Sequence, residues 1–196
     1  MSGFPPAECI DREESLSRLA GSLCSTVGTI EFILSVRLSF THLESESASF
    51  FDRLTDPTDP VQWIPPSGTS GCRTRSLVFS NTIGDPVFAA QSVFHPADVP
   101  DSVLGFLSAG RPLGESLVLS KTEHLRLQVS AGWVEADQTP ELFRMDPPQA
   151  APWRRYTIRI GGLDRCQVTE VFSPRFIGHL MVTNPSDQPT SDPQSQ

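Results

Sequence analysis

Apolar and polar residues alternate with a period of two along several stretches of the chain, which predicts β-strands there. The clearest are Arg73 to Ser80 and Pro86 to Phe94, separated by the turn-like residues Asn81 to Asp85. Thr122 to Glu135 alternates Leu125, Leu127 and Val129 with Arg126 and Gln128. Arg155 to Ile160 and Arg165 to Phe172 flank Gly161-Gly162, a pair suited to a tight hairpin. Helical spacing is rarer. Leu16, Leu19, Ala20 and Leu23 make one apolar helix face, with Asp11 and Glu14 as a capping pattern, and Pro100 to Ala109 reads as a second helix. The apolar run Val27 to Leu38 fits helix or strand equally. Strand-rich with a few helices, the pattern predicts an α+β domain built on an antiparallel sheet.

Punctuation sets the domain limits. Residues 41–71 are rich in Ser, Asp, Thr and Pro and predict loops around one strand, serving either as a lid or as a surface excursion without a duty. The polar, proline-bearing tail 184–196 is expected to be disordered, leaving a single domain over 1–183. A length of 196 residues suits one core, and the chain contains no internal repeat.

Charge and composition remove several function classes. A net charge of -8 argues against nucleic acid as a partner, since phosphate binding needs a clustered basic surface. No apolar stretch approaches the length of a membrane span, and residues 1–8 lack the features of a secretory signal. Cys9, Cys24, Cys72 and Cys166 are far apart, as are His42, His95, His124 and His179, so no metal-ligand spacing is present and no cofactor motif is found. The expectation is a reduced cytoplasmic protein, a monomer or small homo-oligomer, that acts on a small molecule without metal or cofactor.

Two charges occupy apolar positions. Residues two apart on a strand share a face, so Glu170 points with Val168 and Phe172, and Arg75 with Leu77 and Phe79. A lone charge buried there is costly and requires a partner. That partner is either another protein group, giving an internal ion pair, or a charged ligand. In the second case Arg75 forks onto a ligand carboxylate and Glu170 acts as acid, base or hydrogen-bond partner. An odd loop between the last two strands places Tyr156, Ile158 and Ile160 on the face of Glu170, and matching apolar faces favours that register. Arg155 and Arg159 then face away. Trp63, Trp133 and Trp153 read as core or cavity walls, His124 as a structural histidine, and Arg154 and Arg155 as either a stacked surface pair or a substrate clamp.

Taken in order, these residues resemble a known family. Arg154-Arg155-Tyr156, Gly161-Gly162 and Val168-Thr169-Glu170-Val171-Phe172 are similar to the C-terminal signature of chorismate pyruvate-lyases and their relatives. Pro112-Leu113-Gly114 resembles the family's "PLG" turn, Arg75 with Gly84-Asp85-Pro86 its arginine-bearing strand and following turn, and Gly28-Thr29-Ile30 its "GTL" segment. The resemblance spans most of residues 14–177. It implies a six-stranded antiparallel sheet flanked by helices around an internal ligand cavity. It also implies that Arg75 binds the ring carboxylate, that Glu170 contacts the hydroxyl-bearing end, and that groups near Leu113, Gly114 and Ile30 complete the site, with Gln91, Arg155 and Tyr156 lining it. The sequence departs from that pattern at Glu31-Phe32, where the family has Thr and a basic residue, at Ala90, where it has glycine, and at Gln91, where it has arginine. Three activities follow as expectations: pyruvate elimination from a chorismate-like substrate, a cofactor-free cyclase or pericyclase of secondary metabolism in the same cavity, and ligand binding without chemistry.

Overall fold

The computed structural model describes residues 38–43, 50, 51, 54, 63–143 and 148–175. The helix expected over 11–23, the apolar run 27–37 with Ile30, and the tail 184–196 lie outside the described residues.

Among the described residues six strands form one antiparallel sheet: β1 (Ser39–His42), β2 (Arg73–Ser80), β3 (Pro86–Phe94), β4 (His124–Val134), β5 (Ala151–Ile160) and β6 (Leu163–Phe172), in the order β1-β2-β3-β6-β5-β4. Short helices α1 (Asp101–Ser108) and α2 (Leu113–Leu119) link β3 to β4, and α3 (Pro140–Phe143) precedes β5. The fold is therefore α+β with an antiparallel sheet, as the alternation predicts. No helix among the described residues is long and apolar enough to cross a membrane.

Local chemistry fixes both hairpins. Between β2 and β3, the Asn81 side-chain oxygen accepts the Ile83 and Asp85 backbone N–H groups at 3.1 and 2.9 Å, and Gly84 takes the left-handed conformation that closes the turn. Between β5 and β6, Gly161 and Gly162 both have positive φ (59° and 83°), as a two-residue primed turn requires. This even loop differs from the odd one expected. The register nevertheless comes out as predicted, because pairing runs Arg159↔Asp164 and then Ile158↔Cys166. Arg165 is the extra residue of a bulge, held by its Nε–H to the Ile160 carbonyl at 2.8 Å. The bulge moves the ladder by one residue and places Tyr156 opposite Val168.

The sheet separates two apolar cores. On the helix face, Val103, Leu107, Leu113 and Leu117 from α1 and α2 pack on Phe94, Tyr156, Ile158, Cys166 and Val168. On the opposite face, Phe50, Phe51, Leu142 and Phe143 pack on Val78, Ala89, Trp153 and Val171. Trp153 is a core wall, as expected. It lies flat over Gly132 on β4, where a Cβ would stand 2.9 Å from the indole nitrogen. Trp63 is half-buried and donates its indole N–H to the Asp164 carbonyl at 3.2 Å.

Two expectations need correction. Pro112-Leu113-Gly114 is not a simple turn: Pro112 caps α2 and Leu113-Gly114 form its first residues. A proline there loses no helical hydrogen bond, and Leu113 with Leu117 supplies one buried stripe. On β4 the alternation holds but Leu125 faces outward, 63% exposed, while Arg126 shares the helix face with its cross-strand partner Ile158. Within the proline-rich segment, Ser67 donates its backbone N–H and hydroxyl to the buried Asp98 carboxylate at 3.0 and 2.6 Å.

Candidate functional site

Alternation on β6 turns Val168, Glu170 and Phe172 to the helix face, and alternation on β5 turns Arg154, Tyr156 and Ile158 the same way. Arg154 lies directly opposite Glu170, and Tyr156 is one step diagonal to it. Both reach the carboxylate. Arg154 Nε donates to Glu170 Oε2 at 2.7 Å, and the Tyr156 hydroxyl donates to Oε1 at 3.0 Å. Glu170 and Arg154 are each only 3% exposed, so this is a buried charged pair with a phenol attached.

Two guanidinium groups flank the phenol. Arg126 Cζ stands 5.0 Å from the Tyr156 ring centroid and Arg154 Cζ 5.6 Å from it, with Arg154 also 5.4 Å from the Phe172 ring. Cation–π contact of this kind strengthens as water is removed. At Gly114, the second residue of α2, a Cβ would lie 3.8 Å from Arg126 Nη2, so the head of α2 borders the cluster.

The electrostatics follow from burial. Loss of water pushes the Tyr156 hydroxyl well above the ordinary phenol range, and the Glu170 charge pushes the same way against Arg126 and Arg154. Burial alone lowers Arg154, but the charge of Glu170, that of Tyr156 and the hydrogen bond to Glu170 together hold it above the usual arginine value. Chemically, the cluster offers a carboxylate acceptor and a phenolic proton on one hydrogen bond, beside two cations.

Arg75 shares the helix face but is occupied differently. Its Nη1 donates to the carbonyls of Leu107 at 3.0 Å and Arg111 at 2.8 Å, and its Nη2 donates to Gly110 and contacts His42 Nε2 at 3.3 Å. These carbonyls end α1, where the unpaired C=O groups and the helix dipole favour a cation. Burial lowers the guanidinium pKa. Arg75 pairs with Ser92, which pairs with Val168, so two strand spacings of roughly 5 Å each separate β2 from Glu170's strand.

No family model matches the sequence, and no curated protein matches it. Among solved structures, the chain is similar to the ligand-binding domain of a candidate GntR-family transcriptional regulator from Bordetella bronchiseptica, at 12% identity and a TM-score of 0.44, covering 70% of this chain and 85% of that one. It is also similar to the C-terminal domain of Yurk from Bacillus subtilis, at 11% identity and a TM-score of 0.39, covering 70% and 86%. Similarity at that level assigns neither ligand nor activity.

The residues expected to form one site fall into groups. Glu170, Tyr156, Leu113 and Gly114 are brought to the helix face together, and Arg75 stands at its far side. Gln91 and Arg155 are on the opposite face, in one polar row that runs Ser76–Gln91–Thr169–Arg155 across four strands. There Gln91 donates to Ser76 Oγ at 3.4 Å and Arg155 to Thr169 Oγ1 at 3.1 Å, while the Arg155 guanidinium lies over Trp153 at 5.5 Å. Arg155 is thus the stacked half of the Arg154-Arg155 pair. Ile30 lies outside the described residues. Arg154 was expected only as half of a stacked surface pair or a substrate clamp, and Arg126 was not among the expected site residues. The signal for Arg154 was present, since it is two residues before Tyr156 and must share its face. Arg126 carried no signal of its own, because a polar residue on an alternating strand reads as solvent-facing. Among the described residues no cluster of metal-ligating side chains is found.

Proposed function

We propose that this chain binds a small cyclic ligand bearing a hydroxyl or carboxyl group on the helix face of its sheet, with Glu170 as the polar anchor, in the manner of chorismate lyase-like proteins. One observation carries the reading. A carboxylate, a guanidinium and a phenol occupy the middle of a face whose neighbouring members include the apolar Val168, Ile158, Cys166 and Phe172. Apolar side chains of similar volume would cost the fold less than a desolvated ion pair, so the pair is best explained by use. Glu170 is the proton acceptor or hydrogen-bond partner of the ligand's oxygen, Tyr156 relays or orients its proton, and Arg154 keeps the carboxylate charged. Catalysis on a chorismate-like substrate would need little more than such positioning and one proton transfer.

Arg75 favours a second reading at one point. With four of its N–H groups directed at protein acceptors, it is a weaker candidate for the ligand's carboxylate. A cofactor-free cyclase acting on a less acidic ring system fits that arrangement.

The test is calorimetric titration of the protein with 4-hydroxybenzoate and with chorismate, alongside an assay for released pyruvate. Binding that Glu170→Gln weakens at least tenfold, with Arg75→Gln weakening it less, supports the site. Pyruvate release lost in Glu170→Gln supports the lyase. No binding of either compound sinks the benzoate-type ligand, and binding indifferent to Glu170→Gln sinks the site.

A further inference from the structure

Along β3 the helix face carries Phe88, Ala90, Ser92 and Phe94, so two short side chains stand between two phenylalanines. Register supplies the other walls. Ala90 lies between Leu77 on β2 and Glu170 on β6, and Ser92 lies between Arg75 and Val168. Because β3 is an inner strand, the short pair makes a depression in the floor of this face, with Glu170 on its rim. One wall is aromatic: Phe79 stacks on Phe88 at 4.2 Å and 3°, and Phe88 meets Phe172 at 5.9 Å. Among the described residues, the core beneath α1 and α2 includes Phe94, Tyr156 and Val168 but not Ala90.

Short side chains alone do not make a site. The second observation is Ser92, which is only 9% exposed. Its hydroxyl has no hydrogen-bond partner in the protein, yet it is not sealed off as Ser173 Oγ is. A hydroxyl kept from bulk water without a partner costs stability, and native structures retain such a group where water or a ligand uses it. The neighbouring Arg75 is held by the carbonyls that end α1, so at this end of the depression Ser92 is the polar group facing inward.

Ser92 and Glu170 are diagonal neighbours across the β3–β6 ladder, roughly 7–8 Å apart along the backbone. That separation suits substituents at opposite ends of one six-membered ring. We propose that Ser92 is a second polar contact of the candidate site, bonding an oxygen across the ring from the one that meets Glu170, with the ring lying over Ala90. The inference rests on Glu170 as the ligand's anchor and narrows the ligand to a single ring oxygenated at both ends. A second fused ring would run into Leu77 or Phe88.

The experiment combines thermal unfolding with calorimetric titration of the full chain, using 4-hydroxybenzoate and phenol as probes. Phenol keeps the Glu170 contact and lacks the second oxygen substituent. Ser92→Ala is expected to weaken 4-hydroxybenzoate about tenfold, as loss of a hydrogen bond to a charged group does, and to leave phenol nearly unchanged. Ala90→Leu should occupy the depression and remove binding of both. Without ligand, both variants should unfold at or above the wild-type temperature, since one loses an unpaired hydroxyl and the other fills space. Equal effects of Ser92→Ala on the two probes overturn the proposal. So does a lowered unfolding temperature in Ser92→Ala, which would mean that the fold uses the hydroxyl, or in Ala90→Leu, which would mean that no room for a ring exists. If neither probe binds wild type, the benzoate-type ligand is lost, and the two unfolding temperatures then decide the proposal by the same criterion.

Discussion

Arg154 stands directly across the β5–β6 ladder from Glu170 and donates Nε–H to its carboxylate at 2.7 Å, with both side chains sealed from water. The pair lies between the apolar neighbours of both strands, so each charge helps to hold the other where water is absent.

Removing either partner is therefore expected to cost about 3–5 kcal/mol of folding stability, as for other buried pairs left half-intact. Replacing both, as Arg154→Met with Glu170→Leu, should cost much less than the sum of the single variants. Urea unfolding of the three variants measures the difference. Additive losses would mean that the two groups are not coupled.

Arg75 is expected to act on the α1 terminus. Arg75→Met should lower stability by about 1.5–3 kcal/mol, the usual worth of hydrogen bonds to a charged group. It should also speed amide exchange at 107–113 more than in the central strands. Hydrogen exchange with mass spectrometry reads this directly. Uniform acceleration across the sheet would count against a local clamp.

Tyr156 is the chain's only tyrosine, so tyrosinate absorbance reports this residue alone. Its folded pKa is raised, and burial pushes the Cys166 thiol up to about 12. For groups raised on folding, the stabilising effect is complete below the unfolded pKa and is lost as pH climbs toward the folded value. Unfolded thiols and phenols titrate near roughly 8.5 and 10. Stability should thus be level near neutral pH and fall as pH rises above those values. Tyrosinate should appear together with loss of far-ultraviolet dichroism. Smooth ionisation at an ordinary phenol pKa, with the fold intact, would contradict a sealed Tyr156.

Gly132→Ala should destabilise by about 1–3 kcal/mol, the range for overpacking. The added Cβ would lie 2.9 Å from Trp153 Nε1, and the indole ring cannot yield without disturbing the core behind it. Thermal unfolding against Gly114→Ala, where the nearest atom is 3.8 Å away, provides the control.

Much of this arrangement was legible in the chain. Period-two alternation located β2 and β3 to the residue, and the loop residues at 81–85 and 161–162 marked both hairpins, because strand faces and turn conformations are local properties. Glu170 stood out for the same reason: its neighbours two residues away are apolar whatever the fold. Tertiary structure decided the rest. Pairing of β3 with β6 is a long-range choice, and it alone sets Gln91 beside Thr169 and away from Glu170. Arg75 read as a ligand anchor because sequence shows a charge on an apolar face but not which acceptors arrive there, and in the fold α1 ends its carbonyls on it. The bulge at Arg165 is the same kind of decision, invisible to alternation yet needed to bring Tyr156 onto the face of Glu170. Sequence determined which residues share a strand face; packing determined which faces, and which partners, those residues meet.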